Sequence, residues 1–150
     1  MRNLERRFQL SKYLYLFWFG GSTYVTVEVL WRERSSWTMG VLGGLLFILI
    51  GLLNQIWSWD FDLVWQVLIG DLIALIGEFV TGCIVNLWLG WNIWDYSNLK
   101  FSLFGQVCPQ FALLWIPLVL LAIILDDWIR WKFYHERKPK YKVFGKLIEF

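Results

Sequence analysis

The sequence predicts an all-α integral membrane protein, a bundle of four transmembrane helices with an aromatic loop between the third and the fourth. Three observations carry this expectation. The 150 residues are 58% hydrophobic and 20% aromatic, with a mean hydropathy of +0.50. A soluble domain is roughly 45–50% apolar, and few charges are present here to cover so much apolar surface. The apolar residues also fall into continuous blocks long enough for a helix of about 20 residues to cross a bilayer, without the period-two alternation of barrel strands. Most of the 12 tryptophans stand where a block meets polar sequence: Trp31, Trp37, Trp57, Trp59, Trp65, Trp88, Trp91, Trp94, Trp128 and Trp131. This is the belt expected of amphipathic rings at a membrane interface.

The first block, Tyr13–Trp31, follows a basic segment with Arg2, Arg6, Arg7 and Lys12. A basic start also suits a signal peptide, but no small-residue cleavage pattern follows, and Glu28-Val29-Leu30-Trp31-Arg32 reads as the end of a span. The second block is Met39–Trp57, rich in glycine at Gly40, Gly43, Gly44 and Gly51, residues that let helices approach closely. The short connection Ser58–Asp62 leads into the third block, Leu63–Leu89, long enough to tilt. The fourth block is Cys108–Ile129, and a basic tail occupies residues 130–150. Trp18 and Trp115 lie inside spans, where helix packing is the simplest reason for them. Four spans place both termini on one side, and the basic clusters at the two ends make that side cytoplasmic, in a single multi-pass domain of the cell membrane. Arg32 and Arg34, on the outer side, run against this rule.

The acids inside the blocks are the next question, because a charge at the bilayer centre costs at least ~2.5–3.5 kcal/mol. At 1.5 Å per residue, Glu28 and Glu78 each lie roughly 22 Å above the start of their helices, at similar levels in the outer half. Arg32 stands one turn from Glu28, at a spacing that lets the two side chains meet. Asp71 lies lower, near the level of Asn54 and Gln55, and shares a helix face with Glu78 two turns away. Glu28, Arg32, Glu78, Asp71 and Asn54 are therefore candidates to line a polar interior that receives a substrate or a proton. The competing reading is an ion-pair cluster that locks the bundle.

Between the third and fourth blocks, Trp91-Asn92-Ile93-Trp94-Asp95-Tyr96-Ser97-Asn98-Leu99 is too polar to span and too aromatic to float free. Asp95 and Ser97 are turn formers. Trp94, Asp95 and Tyr96 join the candidates, as parts of a cap over the outer mouth or of an ordinary interfacial connector. Several segments together resemble a known family: Glu28-Val29-Leu30-Trp31-Arg32, Ser36-Trp37-Thr38-Met39, Gly51-Leu52-Leu53-Asn54, Gly77-Glu78-Phe79, Trp94-Asp95-Tyr96-Ser97-Asn98-Leu99 and Gly105-Gln106-Val107-Cys108. The family is that of the small bacterial membrane proteins named putative ABC-transporter type IV, or CmpB-like permeases. The resemblance covers roughly residues 13–145. It implies a multi-helix membrane bundle and a transport role whose substrate the name does not give.

Chemical signatures are sparse. No G-x-x-x-x-G-K-[ST] stretch occurs, so an ATPase, if the chain belongs to an ABC system, is a separate polypeptide. The lone His135 lies in the basic tail, no metal set or nucleophile–base pair emerges, and the reading is a protein that is not an enzyme and carries no cofactor. Cys83 and Cys108 both fall towards the outer side; free buried thiols are expected, with a disulfide as the alternative. The basic tail suits attraction to anionic lipid better than nucleic acid. The partners that follow are the bilayer, an ATPase or other membrane subunit, or a second copy of the chain. Two function classes stand: a transport component, and a non-transporting scaffold or regulator whose acids are structural pairs.

Overall fold

In a computed structural model, residues 2–57 and 59–149 are described, with side chains from Glu5 onward. Ser58 of the predicted connection, Phe150 and the Arg2 side chain lie outside the described residues. The elements in order are α1 (Arg2–Arg32), α2 (Trp37–Gly51), α3 (Leu53–Ile56), α4 (Leu63–Gly82), a π-helical turn (Cys83–Trp88), α5 (Pro109–Tyr134) and the strands β1 (Lys140–Val143) and β2 (Lys146–Glu149).

Among the described residues three helical segments have the length and apolar character to cross a membrane: Trp37–Ile56, Leu63–Trp88 and Pro109–Tyr134. The helix α1 has 31 residues, about 46 Å at 1.5 Å each, and is more polar along its length. It starts well before the predicted Tyr13, because residues 2–12 contain no glycine or proline to stop it. The predicted second span breaks at Leu52, between α2 and the single turn α3.

Packing is organised around α2. Its Met39, Leu42, Leu46 and Ile50 share one buried cluster with Val67 and Ala74 of α4 and with Trp115, Val119 and Ile123 of α5. On its other side α2 lies against α1 at backbone distance. A Cβ on Gly44 would come 2.6 Å from the Phe17 carbonyl oxygen, and one on Gly21 would come 2.5 Å from that of Gly40. Only glycine permits this approach. Trp115 packs inside, stacked on Tyr24 with centroids 5.6 Å apart. Trp18 departs from the packing expectation: it is 69% exposed, on the α1 face turned away from α2.

The tail is not a free basic segment. Strands β1 and β2 pair antiparallel with Val143 opposite Lys146, so Phe144 and Gly145 form a two-residue turn. Both have positive φ, 47° and 81°, the backbone that matches strand twist in such hairpins. The hairpin folds back on the bundle. Tyr141 is 2% exposed, meets Trp59 edge-on and donates its hydroxyl to Asp127 at 2.9 Å. Asp62 serves the same junction: one carboxylate oxygen caps α4 at Val64 N–H and the other accepts from Gly145 N–H at 3.3 Å. This is why an acid stands in that connection.

Candidate functional site

The polar groups gather at the two ends of the bundle. At the end away from the termini, Glu28 is 7% exposed, ion-paired with Arg32 one turn on and accepting from the Ser35 hydroxyl. Helical periodicity sets the first contact; the second follows from the turn that reverses the chain between α1 and α2. Arg34 forms no ion pair among the described residues. Arg32, Arg34, Ser35 and Ser36 wall a cavity of about 180 Å³, closed by Asn92 and Ile93 of the following loop.

Glu78 lies deeper. It is 5% exposed, faces α1 and accepts from the Tyr24 hydroxyl at 3.2 Å. The Trp115 indole lies close to it, and Arg32 lies within electrostatic reach, as does Tyr96. One oxygen of the carboxylate is buried with no hydrogen-bond partner among the described residues. Glu78 thus meets α1 at Tyr24, one turn before Glu28, and Arg32, paired with Glu28, lies within electrostatic reach of it.

Asp71 lies within electrostatic reach of Glu78, in keeping with their shared face, but makes no hydrogen bond to it among the described residues. It is half-buried and has no hydrogen-bond partner for its buried Oδ1. The buried stripe of α4 runs through Gln66, Gly70, Ala74, Glu78 and Gly82, every fourth residue. Each such step advances about 40° around a 3.6-residue helix, so the stripe drifts and Asp71 is left at its margin. Asn54 lies apart from this site, at the opposite end, where its amide donates to Asp127 at 2.5 Å.

The loop before α5 is held by its own bonds. The π-helical turn brings Asn86 inward, where it donates to Gln106 Oε1 at 2.8 Å and accepts from Ile93 N–H at 2.7 Å. The Trp94 indole donates to the Gln106 carbonyl at 3.0 Å, and Tyr96 stacks on Phe111 at 4.4 Å. Gly105 packs against the Asp95 carboxylate with φ +70°, a conformation other residues rarely adopt. Trp94 and Asp95 therefore shape the loop, and among the three candidates there only Tyr96 reaches towards Glu78. Asp95 accepts from the hydroxyl and the backbone N–H of Ser97, at 2.5 and 2.8 Å, bonds that hold its carboxyl below the usual carboxylate range. A lowered native pKa stabilises the turn at pH above the ordinary value of about 3.9 and is lost as pH falls through the lowered one. We expect cleavage of the loop by an acid-active protease to rise below about pH 4 in the wild type. In Asp95→Ala the loop should already be susceptible at neutral pH.

Tyr24, Trp115, Asn86 and Gln106 were not among the candidates. Gln106 stood within a quoted motif, whereas nothing in the sequence separates Tyr24 from other span aromatics. Cys83 and Cys108 are both free. Among the described residues no cluster of three or more His, Cys, Asp or Glu side chains is placed to hold a metal.

A family model described as Putative ABC-transporter type IV matches residues 13–148. The match spans most of the chain, and the chain belongs to that family of membrane proteins. No curated protein and no solved structure matches it.

Proposed function

We propose that this member of the putative ABC-transporter type IV family is a transport component of the cell membrane, with Glu78 at the centre of its interior site. In this reading α1 is a fourth span, both termini are cytoplasmic, and the cavity beside Arg32 is the outer vestibule. Polar solutes or protons reach Glu78 past Arg32, and Tyr24, Trp115 and Tyr96 supply hydrogen-bonding and ring contacts around it. The chain is not itself an ATPase; any nucleotide hydrolysis belongs to a partner subunit. The observation that carries the reading is the carboxylate of Glu78, buried within an apolar bundle with one oxygen unpartnered. A group costly to bury and incompletely paired is better explained by use than by stability.

A second reading, a scaffold or regulator, draws on Glu28, whose carboxylate is engaged by Arg32 and Ser35 as a structural lock would be. The two separate in a ligand screen by thermal unfolding of the purified protein. A ligand of the interior site raises the midpoint of the wild type by mass action and loses most of that effect in Glu78→Gln, which keeps the shape but removes the charge. If Glu78→Gln lowers stability while every stabilising ligand acts equally on both proteins, the scaffold reading replaces transport.

A further inference from the structure

At the end of the bundle that carries the termini, α5 buries two consecutive acids, Asp126 and Asp127, 0% and 3% exposed. Arg130 Nε donates to Asp126 Oδ2 at 2.5 Å. Lys12 pairs with Glu136 at 2.6 Å, which Arg130 also approaches at 3.8 Å. Two cations thus face three carboxylates. The one left over is Asp127, whose Oδ2 accepts, among the described residues, only from neutral groups, the Asn54 amide at 2.5 Å and the Tyr141 hydroxyl at 2.9 Å. A buried charge without a counter-charge is strongly disfavoured.

A second observation is independent of that charge count. Asp126 Oδ1, Asp127 Oδ1 and Asn54 Oδ1 are all buried without a donor among the described residues, and Asn54, from α3, is itself only 5% exposed. Its amide nitrogen is held against Asp127, which keeps its buried oxygen beside the same acids. Arg130 engages Asp126 through Oδ2 and leaves Oδ1 available. Among the described residues one donor, Arg130 Nη2, is also left over, so three acceptors stand against one donor, with a single excess negative charge.

We propose that Asp126, Asp127 and Asn54 bind one small monovalent cation of the sodium class. Hard cations are held by carboxylate and amide oxygens, and a single excess charge matches a monovalent ion. The bound ion joins α3 to α5, and through Tyr141 it secures the hairpin to the bundle. This inference does not depend on transport through Glu78.

The test is thermal unfolding of the full chain in detergent at fixed pH and ionic strength, with choline chloride replaced stepwise by sodium chloride. The expected result is a saturable rise of about 3–6 °C, retained in Asp60→Asn, an exposed acid near the same end, and absent in Asp127→Asn. Should Asp127→Asn fail to fold, equilibrium dialysis of the wild type against radioactive sodium decides, with about one ion per chain expected. Equal stability in choline, sodium, lithium and potassium, together with no bound radioactive sodium, overturns the proposal.

Discussion

Arg130→Met is expected to lower the stability of the protein by about 3–5 kcal/mol, the cost of removing one partner from a buried ion pair. The guanidinium is 2% exposed and sits 2.5 Å from Asp126, which is wholly buried. It also lies over the Tyr13 ring at 5.6 Å. Methionine fills much of the same volume, so the loss comes mainly from the stranded carboxylate. The double variant Arg130→Met/Asp126→Leu should recover a large part of it, because replacing both ions with apolar side chains removes the desolvation cost with the attraction. Chemical denaturation of the single and double variants reads this directly. Additive losses would mean that Arg130 serves Glu136 and the helix end instead.

Arg32→Ala should cost less, about 1–3 kcal/mol, since its side chain is 21% exposed and partly screened while Glu28 is 6% exposed. Glu28→Gln in the Arg32→Ala background should then recover part of the loss, because it neutralises a buried acid that has lost its partner. The cycle distinguishes pairing from topology as the reason for a base at this end. A base kept only to orient the chain gives independent effects, and strictly additive losses would exclude the pairing.

How much of this was legible in the sequence depends on how local the signal is. The three apolar helical segments follow from long apolar runs, and the Arg32–Glu28 contact follows from four-residue spacing on one helix. The hairpin carried its own local signal, alternation around Phe144-Gly145, but the density of lysines drew attention to charge instead. Asp126 and Asp127 were likewise overlooked inside a span: the apolar run masked an Asp126–Arg130 pair at the same four-residue spacing. The failures at Asp71 and Trp18 have a different origin. Both residues have the right chemistry, but their burial depends on which faces of their helices the neighbours cover. No pattern within one helix reports that. The partners of Glu78 are of the same kind, since Tyr24 lies 54 residues away in sequence and meets it only because glycines seat α1 against α2.

The central claim is that water and solutes reach Glu78 from the mouth of the bundle, past Arg32. Thiol labelling tests it most directly. In a background with Cys83→Ser and Cys108→Ser, Glu78→Cys and Ala74→Cys are compared in right-side-out membrane vesicles, with a membrane-impermeant methanethiosulfonate reagent. Both positions are buried, at 5% and 0% exposure, and they stand one turn apart on the same stripe. The account predicts that Glu78→Cys reacts at least about tenfold faster than Ala74→Cys, a difference worth about 1.4 kcal/mol in the barrier to labelling, and that Arg32→Ala raises its rate further. Equal and negligible labelling at the two positions would contradict it and leave Glu78 as a structural acid sealed within the bundle.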